Sequence, residues 1–373
     1  MRTVLVTDVR YRTALAVLRP LARAGYRVVA VQTSTDSPSD PPAFVSRYVC
    51  EAVRLDGSVK DGDYADRLLA LCGRYERPVL FPIGADTLAM LSKNARRFAA
   101  VADFLCAPPA VLDAANDKAA VAQTCAALGI PTPRVYERGE LPRFPVIVKP
   151  RCGEKLGLHA EQRYARAQSA EEFARAYEIM AALDDEPVVQ ELIAGDGMGV
   201  CVVMQENLQP AAVFCHRRIR EYPISGGPSA CCRSVYDGEK AEQAVRLLQG
   251  LHFVGIAMVE FKGDCVLEIN PRIWGSFPLT EVCGSRFAAC YVRAAGGESF
   301  AQPDADYRRG RRMRFLLNDT LSCLSYLRHG RIKTALGGCA DVFRAREAIF
   351  RFTDQRPFWR YLWQSLRKKG GGV

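Results

Sequence analysis

The first seven positions hold the aliphatic run Val4, Leu5, Val6 between Thr3 and Thr7, too short for a buried helix and without polar interruption. It reads as a strand over 3–7 that is covered on both faces. Residues 12–24 change to helical spacing and stop at Gly25, and 27–33 return to an uninterrupted apolar strand. Helix 64–75 and strand 78–82 repeat the alternation. Strands separated by helices predict a parallel α/β sheet for the first hundred residues.

Beyond Cys106 the pattern changes. Asn116 or Asp117 can cap a helix that begins at Lys118, runs through Ala127 and ends at Gly129. Residues 145–150 form a compact apolar strand ending in Lys149 and Pro150, followed by a loop, 153–157, with Gly153 and Gly157. A further helix leads to strand 188–193, broken by Ala194, Gly195, Asp196 and Gly197. Segments 200–205 and 211–219 read as paired strands, and 223–229, with Gly226 and Gly227, as a flexible loop. This middle region is α+β.

Residues 255–272 give the sharpest pattern. With a three-residue turn at Lys262, Gly263 and Asp264, alternation puts Val259, Phe261, Cys265, Leu267 and Ile269 on one face of a hairpin. Glu260, Glu268 and Asn270 then share the other. Two carboxylates and an amide oxygen on one sheet surface are hard oxygen donors suited to Mg²⁺, or Mn²⁺ in its place, gripping phosphates. A solvated polar face, with Lys262 as partner, is the plainer alternative.

Composition narrows the classes. Across 373 residues, 49% are hydrophobic and no window approaches a membrane span, which excludes a disordered or fibrous chain and points to two or three domains. Asp8 interrupts the start before a secretory core can form, so a cytoplasmic protein is expected. The 14 cysteines include no CxxC pair and read as reduced, small hydrophobes. No GxGxxG follows the first strand and no P-loop occurs anywhere.

The order of these pieces resembles the ATP-grasp superfamily, in its carboxylate-amine ligase group related to the carbamoyl-phosphate synthase large chain and biotin carboxylase. The resemblance rests on Asn116, Asp117 and Lys118 opening a helix, the strand ending at Lys149-Pro150, the run Gln190, Glu191, Leu192, Ile193, the stretch 216–223 with Gly226 and Gly227, and Glu268, Ile269, Asn270, Pro271, Arg272 with Gly275 and Ser276. It implies an N-terminal pre-ATP-grasp domain over 1–108, a small ATP-grasp subdomain over 109–187, a large one with the metal hairpin over 188–300, and a basic helical extension over 301–373. ATP would lie between the two subdomains. Lys118 and Lys149 would neutralise its phosphates, the strand from Gln190 and Glu191 to Ile193 would meet adenine, and Asp196 would stand in for the ribose carboxylate. Glu260, Glu268 and Asn270 would hold Mg²⁺. Arg272 would hold an anionic substrate or intermediate, with Arg218, Arg220 and Arg233 flanking the loop 223–229 that closes over the reacting groups. His216 is read as structural. The implied reaction joins a small carboxylate to an amine through an acyl phosphate and releases ADP and phosphate. A nucleotide-binding module without that chemistry and a membrane-surface adaptor are the competing classes. A homodimer is one assembly open to such a chain, and the sequence does not fix the oligomeric state.

All of the net charge of +10 falls in residues 301–373, which hold 16 Lys and Arg against 6 Asp and Glu. There 358–369 projects as a basic amphipathic helix, with Phe358, Trp359, Leu362, Trp363 and Leu366 in one arc. It can lie at the inner membrane surface or close the fold. The second reading is preferred, with Trp359 and Trp363 turned inward and the arginines of 308–314 left as an exposed anion-attracting patch. No RNA-binding pattern accompanies the charge, so no nucleic acid partner is expected.

Overall fold

Strand β1 (Thr3–Val6), helix α1 (Leu15–Arg23), β2 (Arg27–Thr33), β3 (Glu51–Leu55), α2 (Tyr64–Cys72) and β4 (Val79–Phe81) form the N-terminal layer, in a computed structural model that describes residues 1–37, 39–152, 163–224 and 226–370. The sheet order is β3-β2-β1-β4 and every pairing is parallel. β1 is buried at all four positions, as an uninterrupted aliphatic run requires. Sequence reasoning missed β3 because Glu51 and Arg54 break its apolar run at the sheet edge.

Helices α3 (Ala85–Lys93), α4 (Ala95–Ala99) and α5 (Pro109–Asn116) lead to α6 (Lys118–Ala127). A smaller sheet follows from β5 (Val135–Tyr136), β6 (Val146–Lys149), β7 (Ala165–Ala167) and, after α7 (Ala170–Ala181), β8 (Val188–Glu191), in the order β5-β8-β6-β7. The expected subdomain boundary at 187 therefore falls inside this sheet, since β8 pairs with both β5 and β6. The loop 153–157 lies outside the described residues, as do Ser225 and the glycines 371 and 372.

The larger sheet contains β9 (Gly197–Met204), β10 (Pro210–Glu221), β11 (Ser229–Val235), then, after α8 (Gly238–Gly250), β12 (Gly255–Lys262) and β13 (Cys265–Asn270). Helices α9 (Pro278–Cys283) and α10 (Phe287–Ala295) precede β14 (Arg312–Arg314), α11 (Leu316–Arg328), α12 (Ile332–Arg344), β15 (Ala345–Glu347) and α13 (Arg356–Gly370). The sheet order is β13-β12-β9-β10-β11-β14-β15. Residues 301–373 are thus no separate module, because β14 and β15 complete this sheet.

One sheet face buries Val200, Val202, Val259 and Phe261 with α8 and α6. The other packs Cys201, Phe214 and Met258 into the same core as α1, α9 and α10, which fixes the N-terminal layer against it. Helix α13 closes the fold by a different face from the expected one. Phe358 and Tyr361 pack on this core and Arg360 pairs with Asp40 at 3.5 Å, while Trp359 and Trp363 are exposed. Asp354, two residues before this helix, accepts from Arg19, Ser46 and the Arg47 N–H. The 308–314 patch is only partly open: Arg314 is buried, and Arg312 pairs with Asp341.

Candidate functional site

The hairpin β12–β13 turns in two residues, Gly263 and Asp264, with Lys262 opposite Cys265. Gly263, at φ +56°, occupies the first turn position, where a side chain would be strained. Register breaks between Phe261↔Val266 and Glu260↔Glu268, so Leu267 is a bulge. The apolar face is therefore Val259, Phe261, Val266 and Ile269, in place of the set containing Cys265 and Leu267. The bulge restores the polar set: Glu260 stands directly opposite Glu268, and Asn270 lies two residues further on, opposite Met258.

Cations surround this face. Lys118 is the first residue of α6, whose N-cap Asp117 accepts from the Ala119 and Ala120 N–H groups. A lysine there opposes the helix dipole, and the Glu268 carboxylate, 3.5 Å from its Nζ, compensates. Lys149, at the end of β6, is buried; loss of hydration pushes its ammonium down to about 8, against the opposing pull of Glu268. Arg218 on β10 reaches Glu260 at 3.2 Å and Glu221 at 2.9 Å, and Gly227 of the glycine loop at 3.5 Å through its carbonyl. Arg272 donates to the Ile273 carbonyl and lies within electrostatic reach of Glu260. Burial raises the Glu260 carboxyl, with Glu268 adding to the rise and Arg218 opposing it. Burial acts the same way on Glu268, but Lys118 and Lys149 outweigh it and hold the group below its ordinary range.

On β6 and β8, Lys149 pairs with Val188 and Ile147 with Gln190, so Lys149 and Gln190 share the face turned away from the small-sheet core of Val146, Val148 and Val189. Gln190 is buried and its Oε1 finds no partner among the described residues. An orphaned buried acceptor on the same sheet face as Lys149 suits a ligand with N–H donors. The Glu191 side chain is exposed and faces the other way. Ile193 lies against the hairpin tip, near Gly263. Asp196 is exposed, 3.8 Å from Arg217, and its carbonyl accepts from the Gly263 N–H.

Two predicted arginines stand elsewhere. Arg233 pairs with Arg217 and Arg312, one position out of step with the Arg218–Cys232 pair, which puts it on the opposite sheet face from Glu260. Arg220 follows a register shift in β10 and is buried in ion pairs with Asp319 at 2.7 Å and Asp341 at 2.8 Å. His216 is structural: its Nε2 is 2.8 Å from Ser276 Oγ, its ring stacks on Trp274, and burial lowers its pKa to about 3, with Arg218 adding to the effect. Sequence reasoning missed Arg163 and Glu221. Arg163 is close enough to depress Glu268, and no periodicity marked it.

Among the described residues no trio of His, Cys, Asp or Glu converges on one point. The donor set is instead two opposed carboxylates and an amide oxygen, and its mutual repulsion fits a hard divalent cation such as Mg²⁺.

Residues 115–276 match the family model described as the ATP-grasp domain. A search of curated proteins finds no match. Among solved structures, a biotin carboxylase–βγ-ATP complex from Campylobacter jejuni aligns with TM-score 0.64 at 13% identity over 83% of this chain and 74% of that one. The biotin carboxylase domain dimer of the Hydrogenobacter thermophilus 2-oxoglutarate carboxylase, in complex with MgADP, ADP and bicarbonate, aligns with TM-score 0.62 at 16% identity over 83% and 73%. An L-amino acid ligase from Bacillus licheniformis aligns with TM-score 0.57 at 15% identity over 84% and 78%. At such identities the likeness is one of fold.

Proposed function

With residues 115–276 matching the ATP-grasp domain model and 83% of the chain aligning with a biotin carboxylase fold, we propose that this protein is an ATP-dependent carboxylate-amine ligase, releasing ADP and phosphate. The observation that carries the reading is the pairing of Glu260 with Glu268 under Lys118, Lys149 and Arg218. Such an arrangement attracts a polyphosphate and its cation together.

In this reading Gln190 and the backbone from Glu191 to Ile193 hold the adenine edge, Asp196 approaches the ribose, and Lys118 and Lys149 meet the phosphates. Glu260, Glu268 and Asn270 would hold Mg²⁺, which when bound would neutralise charge developing on the phosphates. The substrate carboxylate attacks the γ-phosphorus and ADP leaves, giving an acyl phosphate. Arg272 and Arg218 hold the carboxylate and then the acyl phosphate in place. Attack by an amine expels phosphate and forms an amide. The loop 223–229, tied to Arg218 through Gly227, excludes water from this intermediate.

The test is ADP release by the purified protein with Mg²⁺ and ATP, screened over pooled amino acids with dicarboxylic and uronic acids. Substrate-dependent ADP and phosphate are expected. Formation of AMP and pyrophosphate rejects the acyl phosphate route, and nucleotide binding without turnover on any pool favours a binding module.

A further inference from the structure

Helices α11 and α12 are packed inside out. On α11 the side turned to the sheet carries Asp319, Ser322 and Tyr326, all buried, while Leu324 and Leu327 are exposed. On α12 the inward side is Ala335, Gly338 and Asp341, with Gly338 so close to Cys323 that no Cβ fits between the helices. What holds the pair down is charge: Arg220 and Arg314 pair with Asp319, and Arg220 and Arg312 with Asp341.

The outward side of α12 is consequently its apolar stripe. Ile332, Leu336, Cys339 and Phe343 recur at helical spacing, and Leu336 and Phe343 are 61% and 93% exposed. The start of α11 meets α13 at a small apolar cleft lined by Leu316, Leu317 and Leu362. Next to Leu362 around α13 come Leu366, Trp359 and Trp363, all more than half exposed. The three C-terminal helices thus present aliphatic and tryptophan side chains to solvent well beyond the scattered apolar exposure of a soluble surface.

Charge identifies the occupant. From 316 to 370 the chain has four acids; Asp319, Asp341 and Asp354 are buried, and Glu347 accepts from the Ile349 and Phe350 N–H groups. Arg328, Arg331, Lys333, Arg344 and Arg346 are all exposed. The acids are consumed inside the fold and the rim left outside is cationic. A second copy of this chain would bring like charges together. An anionic, fluid apolar surface meets both features at once, and tryptophans beside arginines are the side chains such an interface prefers.

We propose that the outward face of α11 and α12, continued by Trp359 and Trp363, docks this protein on an anionic phospholipid bilayer. No helix among the described residues is long and apolar enough to cross one, so the contact is peripheral. It requires neither ATP nor turnover.

The full chain is floated with vesicles of phosphatidylcholine containing about one-quarter phosphatidylglycerol and with phosphatidylcholine alone. Binding is expected on the anionic vesicles, at least about tenfold stronger than on the neutral ones, with a blue shift of tryptophan emission and loss of binding as salt rises from about 0.05 M to about 0.5 M. The double variant Leu336→Ser/Phe343→Ser, whose side chains support nothing inside, is expected to melt like the parent and to bind at least about tenfold more weakly. Arg328→Ser with Lys333→Ser should lower binding about fivefold for each charge removed. Equal binding to both vesicle types, full binding by the double variant, or a dimer broken by these substitutions with no vesicle binding overturns the proposal.

Discussion

Glu268 and Glu260 face each other across a strand pair, and only cations on neighbouring elements make that tolerable. Replacing Glu268 by Gln removes one charge, relieves Glu260 and leaves the packing alone. Glu268→Gln should therefore still fold, melting slightly lower because Lys118 and Lys149 lose a counter-charge, while ADP release falls by at least about a hundredfold at saturating Mg²⁺; comparable turnover would remove the hairpin from the site. Lys149 gives a pH signature. Its pKa in the folded protein is about 8, against 10.5 when exposed. Between those values the unfolded chain binds more protons, so the nucleotide-free protein gains stability as pH rises through that window. ATP affinity should move the opposite way, weakening above pH about 8 as the ammonium is lost. Both trends should be absent from Lys149→Met, followed by melting and by ATP titration across pH. Glu260, Glu268 and Asn270 could be grouped from the sequence because period two survives an error of one in the turn when a bulge restores it. The bulge at Leu267 could not, since a two-residue turn with a bulge and a three-residue turn use the same residues. Arg233 was misassigned for a related reason: nothing in an isolated strand states its register against β10.

At the scale of elements, β9 is a central strand with a glycine in it. Gly199 lies opposite both Glu260 and His216. A Cβ there would collide with the His216 ring and stand 2.9 Å from the Met258 sulfur. Gly199→Val should cost about 1–3 kcal/mol by overpacking and push His216 from Ser276, measured by urea unfolding; an unchanged midpoint would mean that the sheet yields there. β1, β2 and β4, with α1 and α2 between them, were legible because parallel strands buried on both faces leave unbroken aliphatic runs, which the edge strand β3 lacks. β14 and β15 were not. They are three residues each, Arg312–Arg314 and Ala345–Glu347, and Arg312 and Arg314 of β14 are satisfied by aspartates from other elements. α13 was visible as an amphipathic helix, yet its docking face was not, because Phe358 and Tyr361 compete with the tryptophans for the core and periodicity does not rank them.

Across the whole molecule, two buried arginines bind the C-terminal segment to the rest. Arg19 of α1 pairs with Asp354 at 2.9 Å and donates to the Ile349 carbonyl, and Arg220 joins the large sheet to α11 and α12. Arg220→Ala leaves Asp319 and Asp341 buried without it and should cost about 3–5 kcal/mol, read from denaturant midpoints; a loss under about 1 kcal/mol would mean that Arg312 and Arg314 suffice. Burial pushes the Asp341 carboxyl up, but its bonds from Arg312 and Arg220 prevail and hold it below 3.8. That stabilisation is complete above the unfolded value and is lost as pH falls through the lower, folded one. Acid unfolding below pH about 4 should accordingly begin with the C-terminal helices. The linker behind β8 is pinned to the hairpin tip. Gly195, at φ +117°, leaves a Cβ position 3.0 Å from the Gly263 nitrogen, and Gly263 donates to the Asp196 carbonyl at 3.3 Å. The backbone after β8, proposed above to meet adenine, and the hairpin that carries Glu268 are thereby one mechanical part. Occupation of either end should change the affinity of the other by one common factor, cation for nucleotide as nucleotide for cation, and Gly195→Val should drive that factor towards unity.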